Sequence, residues 1–581
     1  MLSSLQTVED PLWVYPKENL PLKDAIIKEF KIHPVTAQVL VSRGFGSLDE
    51  VHDYLYSRLP NLLDPFLLPE MHKAVDRILV ALQNQENILI YGDNDVDGMT
   101  GTALLVEFLR FIGANVYFYI SNRSMRRHSL IVEALEYAQK NQCRLLITVD
   151  CGITAAQEIK QVVDKGVDVI ITDHHEPTDI IPHCIATLNP KVDGSYPNRD
   201  LTGVGVAFKL AHGLTNTLVS EGKIPPKKVD LKRYLDLVAL GTVSDMGSLL
   251  GENRILVAYG LAQLKKTKRN GLAELLQIAD CHLSELTTYT IASKIAPRLN
   301  SLGRIDDPQK GVEMLLVRNT AKAKKMAEEL DLNNIERQRI EKVMVSDVEH
   351  TLHIHPEILK NKAIVLDSDK WHPGIIAILS TRISKHYNRP AVIIAVDKDI
   401  GKGSSRSTHT FPLLDLLKSS SDILLNFGGH DFAAGLSLKA EHIDEFRKRF
   451  IEAANKRLTD EDVVPKLYLD AEVKFNELTF DFMESLKLLE PYGNENPPPV
   501  LYTTAKQAWP PKAVGKNLKL YLEQGDRMLE GMAFGKASLL SVLKKKHLTL
   551  KIAFQPQVNN FQGSSIQLLI REIQIQETPS C

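Results

Sequence analysis

The sequence ILIYGDNDVDGMTGTALL, residues 88–105, decides how the chain is interpreted. It begins with an apolar run that is typical of a buried strand, and its last residues, from Thr100 onward, predict the start of a helix. Asp93, Asp95 and Asp97 lie between the two, each two residues from the next. A strand that leads into a helix marks the edge where α/β sheets bind ligands. Because adjacent carboxylates repel one another, and because Mg²⁺ and Mn²⁺ prefer oxygen ligands, the stretch favours a divalent metal site.

Three other interpretations of this stretch compete with a metal site. An EF-hand also opens with D-x-D-x-D-G, but its twelfth position requires a bidentate Glu, where this chain has Leu104. A P-loop requires Gly-Lys-Ser/Thr, which does not follow here. A turn that is rich in Asp, and binds nothing, explains the stretch by itself as well as a metal site does. The residues outside this stretch are needed to distinguish a metal site from such a turn.

Composition limits the class of protein. A chain of 581 residues predicts several domains. Its 70 basic and 72 acidic residues nearly balance, so any nucleic-acid surface must be local. The five cysteines form no C-x-x-C pair, which argues against a disulfide framework and a structural zinc site. The N-terminus has no basic-then-apolar signal, and no run approaches membrane-spanning length. We expect a cytoplasmic protein in a reducing compartment, without membrane contact.

The region from residue 88 to about 189 alternates predicted strands with predicted helices. The strands begin at Ile88, Asn115, Arg144, Val167 and Ile185, and the helices near Thr100, Ser129 and Thr154. Such alternation predicts an α/β fold with a largely parallel sheet covered by helices.

Polar residues collect where these strands end. One strand ends in Asp150, the next in Asp173-His174-His175, and a later helical stretch delivers Asp245. Singly, each is explained by helix capping or by a packed histidine. Acidic groups or histidine at three strand ends on one edge are harder to explain that way. The set is rich enough for two cations, which in paired sites lie about 3.5–4 Å apart and clamp a phosphate. Its members are Asp95, Asp97, Asp150, His174 and Asp245.

Four segments in order, YGDNDVDG, ITVDCGIT, TDHHEP and LGTVSD, resemble the motifs of the DHH phosphoesterase family. Later segments resemble one branch of it, the RecJ family of bacterial single-stranded-DNA exonucleases, from about residue 60 to the C-terminus. These segments are LTGVGVAFKL at 201, ENRILVAYGL at 252, IAPRLNSLGRIDDPQKGVEMLL at 295, WHPGIIAILSTRI at 371, GKGSSRS at 401 and FGGHDFAAGLSL at 427.

The resemblance implies a domain order that two sequence patterns support. The charged stretch from Thr320, which lacks Gly and Pro, predicts a long solvated helix, and the short strands after about 465 predict a small β-barrel. We expect a helical N-terminal segment (1–60), a DHH catalytic domain (61–319), a connecting helix (320–354), a DHH-associated substrate-binding α/β domain (355–460) and an OB-type nucleic-acid-binding barrel (461–581).

The resemblance also implies an activity: 5′-to-3′ hydrolysis of single-stranded DNA to mononucleotides, with two Mn²⁺ or Mg²⁺ ions, in recombination and repair. Spacing alone supports only metal-dependent phosphoester hydrolysis. The implied metal ligands are Asp93, Asp95, Asp97, Asp150, His174 and Asp245. The implied catalytic residues are Asp95, Asp97, Asp150, His174, His175, Asp245 and Arg123, with His175 and Arg123 on the scissile phosphate.

Two loops rich in small residues predict substrate contacts: GKGSSRS at 401 and FGGHDFAAG at 427. Small residues let the backbone approach a phosphate, and an arginine grips it with two hydrogen bonds. By resemblance, the substrate-binding residues are Asn122, Arg123, Arg298, Ser404, Ser405, Arg406, Gly429 and His430. In the barrel, aromatics and lysines are candidates to stack bases and attract phosphates, although barrel aromatics are more often core. These residues are Trp509, Tyr521, Phe534, Lys512, Lys516 and Lys519.

The chain departs from the family pattern at two places. Arg127, His128 and Ser129 stand where the family has Gly-Tyr-Gly, which predicts a stiffer and more basic loop. Tyr91 stands where some DHH enzymes have a metal-binding His, which predicts that this ligand is missing. Every motif carboxylate is present, so we expect an active enzyme. The alternatives are a non-catalytic single-strand-binding scaffold and a DHH phosphodiesterase of short oligonucleotides. We expect a monomer, with a helicase and a single-strand-binding protein as candidate partners.

Overall fold

A computed structural model describes residues 10–121, 130–226, 228–407, 411–430, 432–544, 548–559 and 564–576. The chain divides into two compact units that are each discontinuous in sequence. The parallel-sheet unit comprises Tyr54–Arg337 and Glu490–Pro497. The two-sheet unit comprises Met1–Asp53, Gln338–Leu489 and Pro498–Cys581. The five linear segments expected from the sequence remain a prediction.

The first described elements are a short strand and three helices: β1 (Leu12–Val14), α1 (Leu20–Phe30), α2 (Pro34–Ser42) and α3 (Leu48–Tyr56). Helix α1 begins after Asn19, whose side chain accepts a hydrogen bond from the Leu22 N–H, and both α1 and α2 carry proline in the first turn.

The parallel-sheet unit contains five parallel strands in the order β3-β2-β4-β5-β6. The strands are β2 (Asn87–Gly92), β3 (Asn115–Ile120), β4 (Cys143–Val149), β5 (Asp168–Thr172) and β6 (Ala186–Leu188). The helices are α4 (Met71–Gln83), α5 (Val96–Phe111), α6 (Leu130–Lys140), α7 (Ala156–Asp164), α8 (Gly203–Ser220), α9 (Leu235–Ser244), α10 (Gly251–Leu264), α11 (Asn270–Ile278), α12 (Thr288–Thr290), α13 (Ala296–Ile305) and α14 (Gln309–Leu316). A π-helical turn, Ile291–Ile295, precedes α13.

Burial explains why these segments fold as they do. Strands β2 and β4 are apolar along almost their whole length and are buried, as expected of a parallel sheet covered on both faces. Helix α5 is buried along almost its whole length, and α8 and α9 pack against it in the same core. The carboxyl ends of β2, β4 and β5 consequently meet at one edge of the sheet.

Helix α15 (Thr320–Ile354) is a single helix of 35 residues, as its charged, glycine-free sequence predicts. Its first part, to Arg337, is counted in the parallel-sheet unit and the remainder in the two-sheet unit.

The first sheet of the two-sheet unit has the order β10-β11-β9-β8-β7, in which only the β7–β8 pair is parallel. Its elements are β7 (Ile364–Ser368), α16 (Ile376–Tyr387), β8 (Ala391–Asp397), β9 (Ile400–Arg406), α17 (Leu413–Lys418), β10 (Leu424–His430), β11 (Ala433–Lys439), α18 (Ile443–Arg457) and α19 (Asp460–Val463).

The second sheet closes into a barrel, because β14 pairs with both β15 and β17. Before it lies β12 (Lys466–Tyr468), which belongs to a separate two-stranded sheet. The barrel sheet and its helices comprise β13 (Ala471–Glu472), α20 (Phe480–Lys487), β14 (Leu501–Val514), β15 (Asn517–Gln524), β16 (Arg527–Ala533), α21 (Leu540–Leu543), β17 (Thr549–Asn559) and β18 (Ser565–Gln576). Strand β1 pairs in parallel with β12, and the Tyr15 ring meets the Tyr502 ring edge-on at 5.3 Å. The fold class predicted from the sequence is confirmed.

Within the described residues, none of the helices has the length and apolar character needed to span a membrane.

Candidate metal centre at the carboxyl edge of the parallel sheet

The turn from β2 into α5 gives its three aspartates different backbone positions. Helix α5 begins at Val96, earlier than the predicted start near Thr100, because Asp95 is its N-cap. The Asp95 carboxylate accepts hydrogen bonds from the Asp97 N–H at 3.0 Å and the Gly98 N–H at 3.2 Å. Asp97 therefore lies in the first turn of the helix, where it is buried, and Asp93 precedes the cap.

Backbone and hydroxyl donors orient two of these carboxylates. The N–H groups of Gly203 and Val204, at the start of α8, donate to the two oxygens of Asp97 at 2.6 and 2.9 Å. A helix N-terminus is a favourable place for a carboxylate, because its N–H groups are free and its dipole is positive. The Ser121 hydroxyl donates to Asp93 at 2.9 Å. No sequence motif pointed to Ser121, which precedes the altered second motif.

Asp150 follows β4 in a left-handed backbone conformation, with φ of +62°. Aspartate tolerates this conformation better than most residues. Its N–H donates to the Thr172 carbonyl at 2.9 Å, so the backbone of the turn is tied to β5. The buried carboxylate is held so closely that a Cβ on Gly203 would lie 2.5 Å from the Asp150 Cβ. Glycine at position 203 is thus required by the approach of α8 to Asp150.

The Asp173-His174-His175 triplet is organised by its aspartate. One Asp173 oxygen accepts the N–H groups of His174 and His175 at 2.7 and 3.1 Å, and lies 2.7 Å from Nδ1 of the His175 ring. The other oxygen accepts the Ile153 N–H at 3.0 Å. Asp173 thereby fixes the loop and orients the His175 ring, a supporting role that the sequence pattern alone did not assign.

The predicted ligands come together around His174. Its Nε2 lies 3.0 Å from Asp150 Oδ1, 3.6 Å from Asp245 Oδ2 and 3.8 Å from Asp97 Oδ2. Three sets of side chains each offer donor atoms within 4.8 Å of one another: Asp150, His174 and His175; Asp97, His174 and Asp245; Asp93, Asp95 and Asp150. Carboxylate oxygens with one or two imidazoles suit Mn²⁺ or Mg²⁺, so the donor set fits these ions.

Electrostatics show how crowded the carboxylates are. Burial, followed by the charge of Asp95, raises the pKa of Asp97 to about 7. Burial, followed by the charge of Asp97, raises the pKa of Asp150 and of Asp245 well above the ordinary range. A bound cation would favour the ionised form of each carboxylate and offset their repulsion.

In the Asp173–His175 pair, the pKa shifts favour the charged form of both side chains. Burial alone would raise the pKa of Asp173, but the hydrogen bond and charge of His175 lower it to about 2. Burial likewise opposes protonation of His175, yet Asp173 raises the pKa of that imidazole to about 9. His175 is therefore a cation at neutral pH, beside a cluster of carboxylates.

The two predicted substrate loops lie on β9 and β10 of the two-sheet unit, on either side of β11. Strand β11 lies between β9 and β10, and its residue Ala434 pairs with Ser405 on one side and Gly429 on the other. Arg406 and His430 both pair with Ala433, so the two loops meet at the same end of the sheet.

The side chains of the first loop suit an anion. The Arg406 guanidinium donates to Ser404 Oγ at 3.2 Å and to the Ser405 carbonyl at 2.8 Å. In the part of the chain that the structure describes, Arg406 pairs with no carboxylate, and the buried Ser405 hydroxyl has no hydrogen-bond partner. Gly429, at φ +138°, has no room for a side chain, because a Cβ would lie 2.3 Å from the Ala433 carbonyl.

Arg298 is engaged within its own unit. Its guanidinium donates to Asp331 on α15 at 2.9 Å and to the Lys294 carbonyl at 2.6 Å. Tyr91 is buried in β2, with its ring stacked on Tyr119 at 6.3 Å. Asn122, Arg123, Arg127, His128 and Ser129 lie outside the described residues, as does the side chain of His430, so the roles expected for them stay predictions.

The barrel aromatics are largely outside the core. Trp509 is 60% exposed and Phe534 is 62% exposed. Trp509 lies opposite Tyr521 on the next strand, with ring centroids 6.5 Å apart, and Lys512 lies opposite Lys519. Trp509 is exposed and Tyr521 is partly buried. An exposed ring beside a second ring and lysines is an arrangement that base stacking uses.

Comparisons with known proteins match the three parts of this architecture. Residues 87–242 match the DHH family, N-terminal domain; residues 360–456 match the DHHA1 domain; and residues 469–572 match the RecJ OB domain. The single-stranded-DNA-specific exonuclease RecJ of Dickeya dadantii is 33% identical over 559 residues, which are 92% of this chain and 95% of that protein. The chain belongs to the RecJ family.

Two further RecJ proteins extend the likeness. The chain is 34% identical to the Bacillus subtilis RecJ exonuclease over 533 residues, 91% of its length, but spans only 66% of that longer relative. The crystal structure of Thermus thermophilus RecJ with Mn²⁺ superimposes with a TM-score of 0.82 at 28% identity, covering 98% of this chain and 80% of that one. The same protein with Mg²⁺ has a TM-score of 0.75 at 25% identity, covering 98% and 79%.

Proposed function

We propose that this RecJ-family chain is a metal-dependent exonuclease that hydrolyses phosphodiester bonds of single-stranded DNA. The observation that carries the proposal is the cluster of Asp97, Asp150, His174 and Asp245, in which the first two are buried and the last two are partly buried. Its carboxylates have raised pKa values, and its donor atoms suit a divalent cation. The names of the D. dadantii and B. subtilis relatives support single-stranded DNA as the substrate.

The donor sets support two ions, either Mn²⁺ or Mg²⁺. Asp93, Asp95 and Asp150 form one set, and Asp97, His174 and Asp245 form another. Bound there, the ions would lower the pKa of the attacking water and offset charge on the phosphate. The N–H groups of α8 hold Asp97 in place for this role, and the Asp95 cap holds the first turn.

His175 is suited to the phosphate. Its imidazole is protonated at neutral pH because Asp173 holds its Nδ1 at 2.7 Å. A fixed cation near the metal ligands would stabilise the charge that develops on the phosphate oxygens as the bond breaks. Arg123 is proposed to share this role.

The remaining assignments form the finer part of the proposal. The reaction proceeds from the 5′ end and releases mononucleotides. Ser404, Ser405, Arg406, Gly429 and His430 contact the strand. Among the described residues Arg406 has no carboxylate partner and the Ser405 hydroxyl has no hydrogen-bond partner, which supports this assignment. Asn122 and Arg298 are also proposed contacts, although Arg298 would have to bind while paired with Asp331. The barrel stacks bases on Trp509 and Tyr521.

In the cell, the enzyme is proposed to act as a cytoplasmic monomer in DNA recombination and repair. A helicase and a single-strand-binding protein would supply and present the strand. The barrel argues against a phosphodiesterase that is limited to short oligonucleotides, since such enzymes need no surface for a long strand.

Digestion of a long single strand labelled at either end tests the proposal. The strand is incubated with Mn²⁺, Mg²⁺ or EDTA, beside a duplex and an RNA of the same sequence and beside Asp97→Ala. We expect release of 5′-labelled mononucleotide from single-stranded DNA, dependent on metal and lost in the variant. Binding without cleavage under every condition would overturn the proposal in favour of a scaffold. Release from the 3′ end would overturn the polarity alone.

A further inference from the structure

The segment Glu490–Pro497, here called the clamp segment, follows α20 in sequence but is part of the parallel-sheet unit. The Tyr54 hydroxyl donates to Asn496 Oδ1 at 2.8 Å, and Asn496 Nδ2 donates to the Pro491 carbonyl at 2.8 Å. The Gly493 N–H donates to the Asn496 carbonyl at 2.8 Å, which closes the segment into a turn. The clamp segment is therefore ordered by its own contacts.

The clamp segment lies against the turn that follows the proposed metal ligand Asp245. Asp245 is the C-cap of α9, and the next residue, Met246, has φ of +57°. The Gly247 N–H donates to the Thr242 carbonyl at 2.9 Å, so the turn is a Schellman motif. Glycine is the usual residue at the left-handed position of this motif, and a methionine there is strained by its Cβ.

Such strain persists only where the surroundings hold it in place. Asn494 Nδ2 donates to the Met246 carbonyl at 2.7 Å, and the Leu249 N–H donates to the Asn494 carbonyl at 3.0 Å. The Ser248 hydroxyl donates to Glu495 at 2.5 Å. Gly493 packs closely against Leu249: a Cβ on residue 493 would lie 2.4 Å from the Leu249 Cδ1. The strained turn is thus held by three hydrogen bonds and one tight contact.

The position of this turn sets the position of Asp245. The Asp245 carboxylate shares a donor set with Asp97 and His174, and its Oδ2 lies 3.6 Å from His174 Nε2. We propose that Asn494 is a positioning residue for the metal centre: it holds the strained Met246 turn and so aims Asp245 at the cation. This inference rests on the metal-dependent function proposed above.

Loss of the Asn494 amide should let Met246 relax toward a negative φ and move Asp245 away from His174. Residues that orient a metal ligand typically change metal affinity by about 10–100-fold when they are removed. We expect Asn494→Ala to weaken Mn²⁺ binding by about tenfold or more. At saturating Mn²⁺, the KM for DNA should remain that of the parent chain.

The test is a titration of the full-length chain with Mn²⁺ alone, in which electron paramagnetic resonance measures free Mn²⁺. Asn494→Ala is compared with Asn84→Ala, which removes an exposed amide that donates to Glu86 in the same unit. The decisive variant combines Asn494→Ala with Met246→Gly, because glycine adopts a positive φ without strain. We expect the added glycine to restore most of the Mn²⁺ affinity that Asn494→Ala loses.

Each outcome decides one question. If the parent chain binds no Mn²⁺, the proposed function fails. If it binds Mn²⁺ and Asn494→Ala binds equally well, the positioning role of Asn494 is overturned while the metal centre stands. Asn494→Ala could also lose Mn²⁺ affinity and melt at a lower temperature. In that case the single and double variants are compared at a temperature where both are folded. If adding Met246→Gly does not restore Mn²⁺ affinity there, the positioning role of Asn494 is overturned as well.

Discussion

Two clusters of charged residues in the parallel-sheet unit, one buried and one partly buried, differ in how their charges are compensated. In the first, here called the Lys209 cluster, Lys209 Nζ lies 2.5 Å from Glu252 and donates to the Leu63 carbonyl at 2.7 Å. Glu252 also accepts the Tyr196 hydroxyl at 2.5 Å and the Leu63 N–H at 2.8 Å. The chain itself supplies a partner for each charge, as a buried ion pair requires.

In the metal centre, the chain compensates the negative charges of the carboxylates only in part. Asp97, Asp150 and Asp245 are crowded around His174, and burial together with their mutual repulsion raises the pKa of all three. The Lys209 cluster is balanced, so its role is structural. A cluster that stays acidic after the chain has folded requires a cation from solution, and this difference separates a functional site from a structural one.

The largest expected effect is on activity, from Asp150→Asn. Asparagine keeps the shape of the side chain and tolerates φ of +62°. Losing a metal ligand should lower nuclease activity by roughly a thousandfold or more. Since the neutral amide removes like-charge repulsion, the melting temperature in EDTA should stay the same or rise. A melting temperature several degrees lower in EDTA would show that Asp150 stabilises the fold, and would break the distinction between the clusters.

The second prediction concerns the Lys209 cluster. Glu252→Gln leaves Lys209 buried without a counter-charge, which should lower the free energy of unfolding by about 3–5 kcal/mol. Urea denaturation measures this, with activity followed per folded molecule and expected to be unchanged. The control is Glu221→Gln, because Glu221 is exposed and its pair with Lys223 at 2.8 Å should contribute within about 1 kcal/mol. A loss no larger than in the control would mean that Lys209 is not stabilised by Glu252.

The third prediction is a dependence of metal binding on pH. Burial, followed by the charge of Asp95, raises the pKa of Asp97 from 3.8 to about 7. Its contribution to stability without metal is therefore complete below about pH 4 and is lost as pH rises through 7. Mn²⁺ must displace that proton, so it should stabilise the protein more at pH 8 than at pH 6. At a hundred times Kd the stabilisation should approach about 2.7 kcal/mol. Thermal melts with and without Mn²⁺ measure it, and an equal gain at both pH values would contradict the prediction.

Much of the fold and of the metal centre could be predicted from local sequence. The apolar strands and their alternation with helices indicate a parallel sheet, and topology alone then brings Asp97, Asp150 and His174 to one edge. The start of α5 was misplaced, because the capping of its first turn by Asp95 is a three-dimensional interaction. Strand β16 has a weak strand signal in the sequence, since RMLEGMA contains Gly531 and no β-branched residue.

Long-range contacts could not be predicted. Strand β1 finds its partner in β12, more than 450 residues away, where no local pattern specifies the pairing. Asn494 and Met246 are 248 residues apart. Asp173 orients His175 because the loop folds so that one Asp173 oxygen contacts both the backbone and the ring of His175. In each case the contact depends on the complete fold, and the neighbouring sequence does not specify it.

Whether the acidic cluster requires cations is tested most simply by a count of the ions that the chain binds. Electron paramagnetic resonance of free Mn²⁺, titrated into the parent chain and into Asp150→Asn at pH 8, gives that number. We predict about two ions for each parent chain, the number that paired-metal phosphoesterase sites hold, and fewer, more weakly bound ions in the variant. If the parent chain leaves the free Mn²⁺ signal unchanged, or if the variant binds Mn²⁺ as the parent does, the acidic cluster does not require cations.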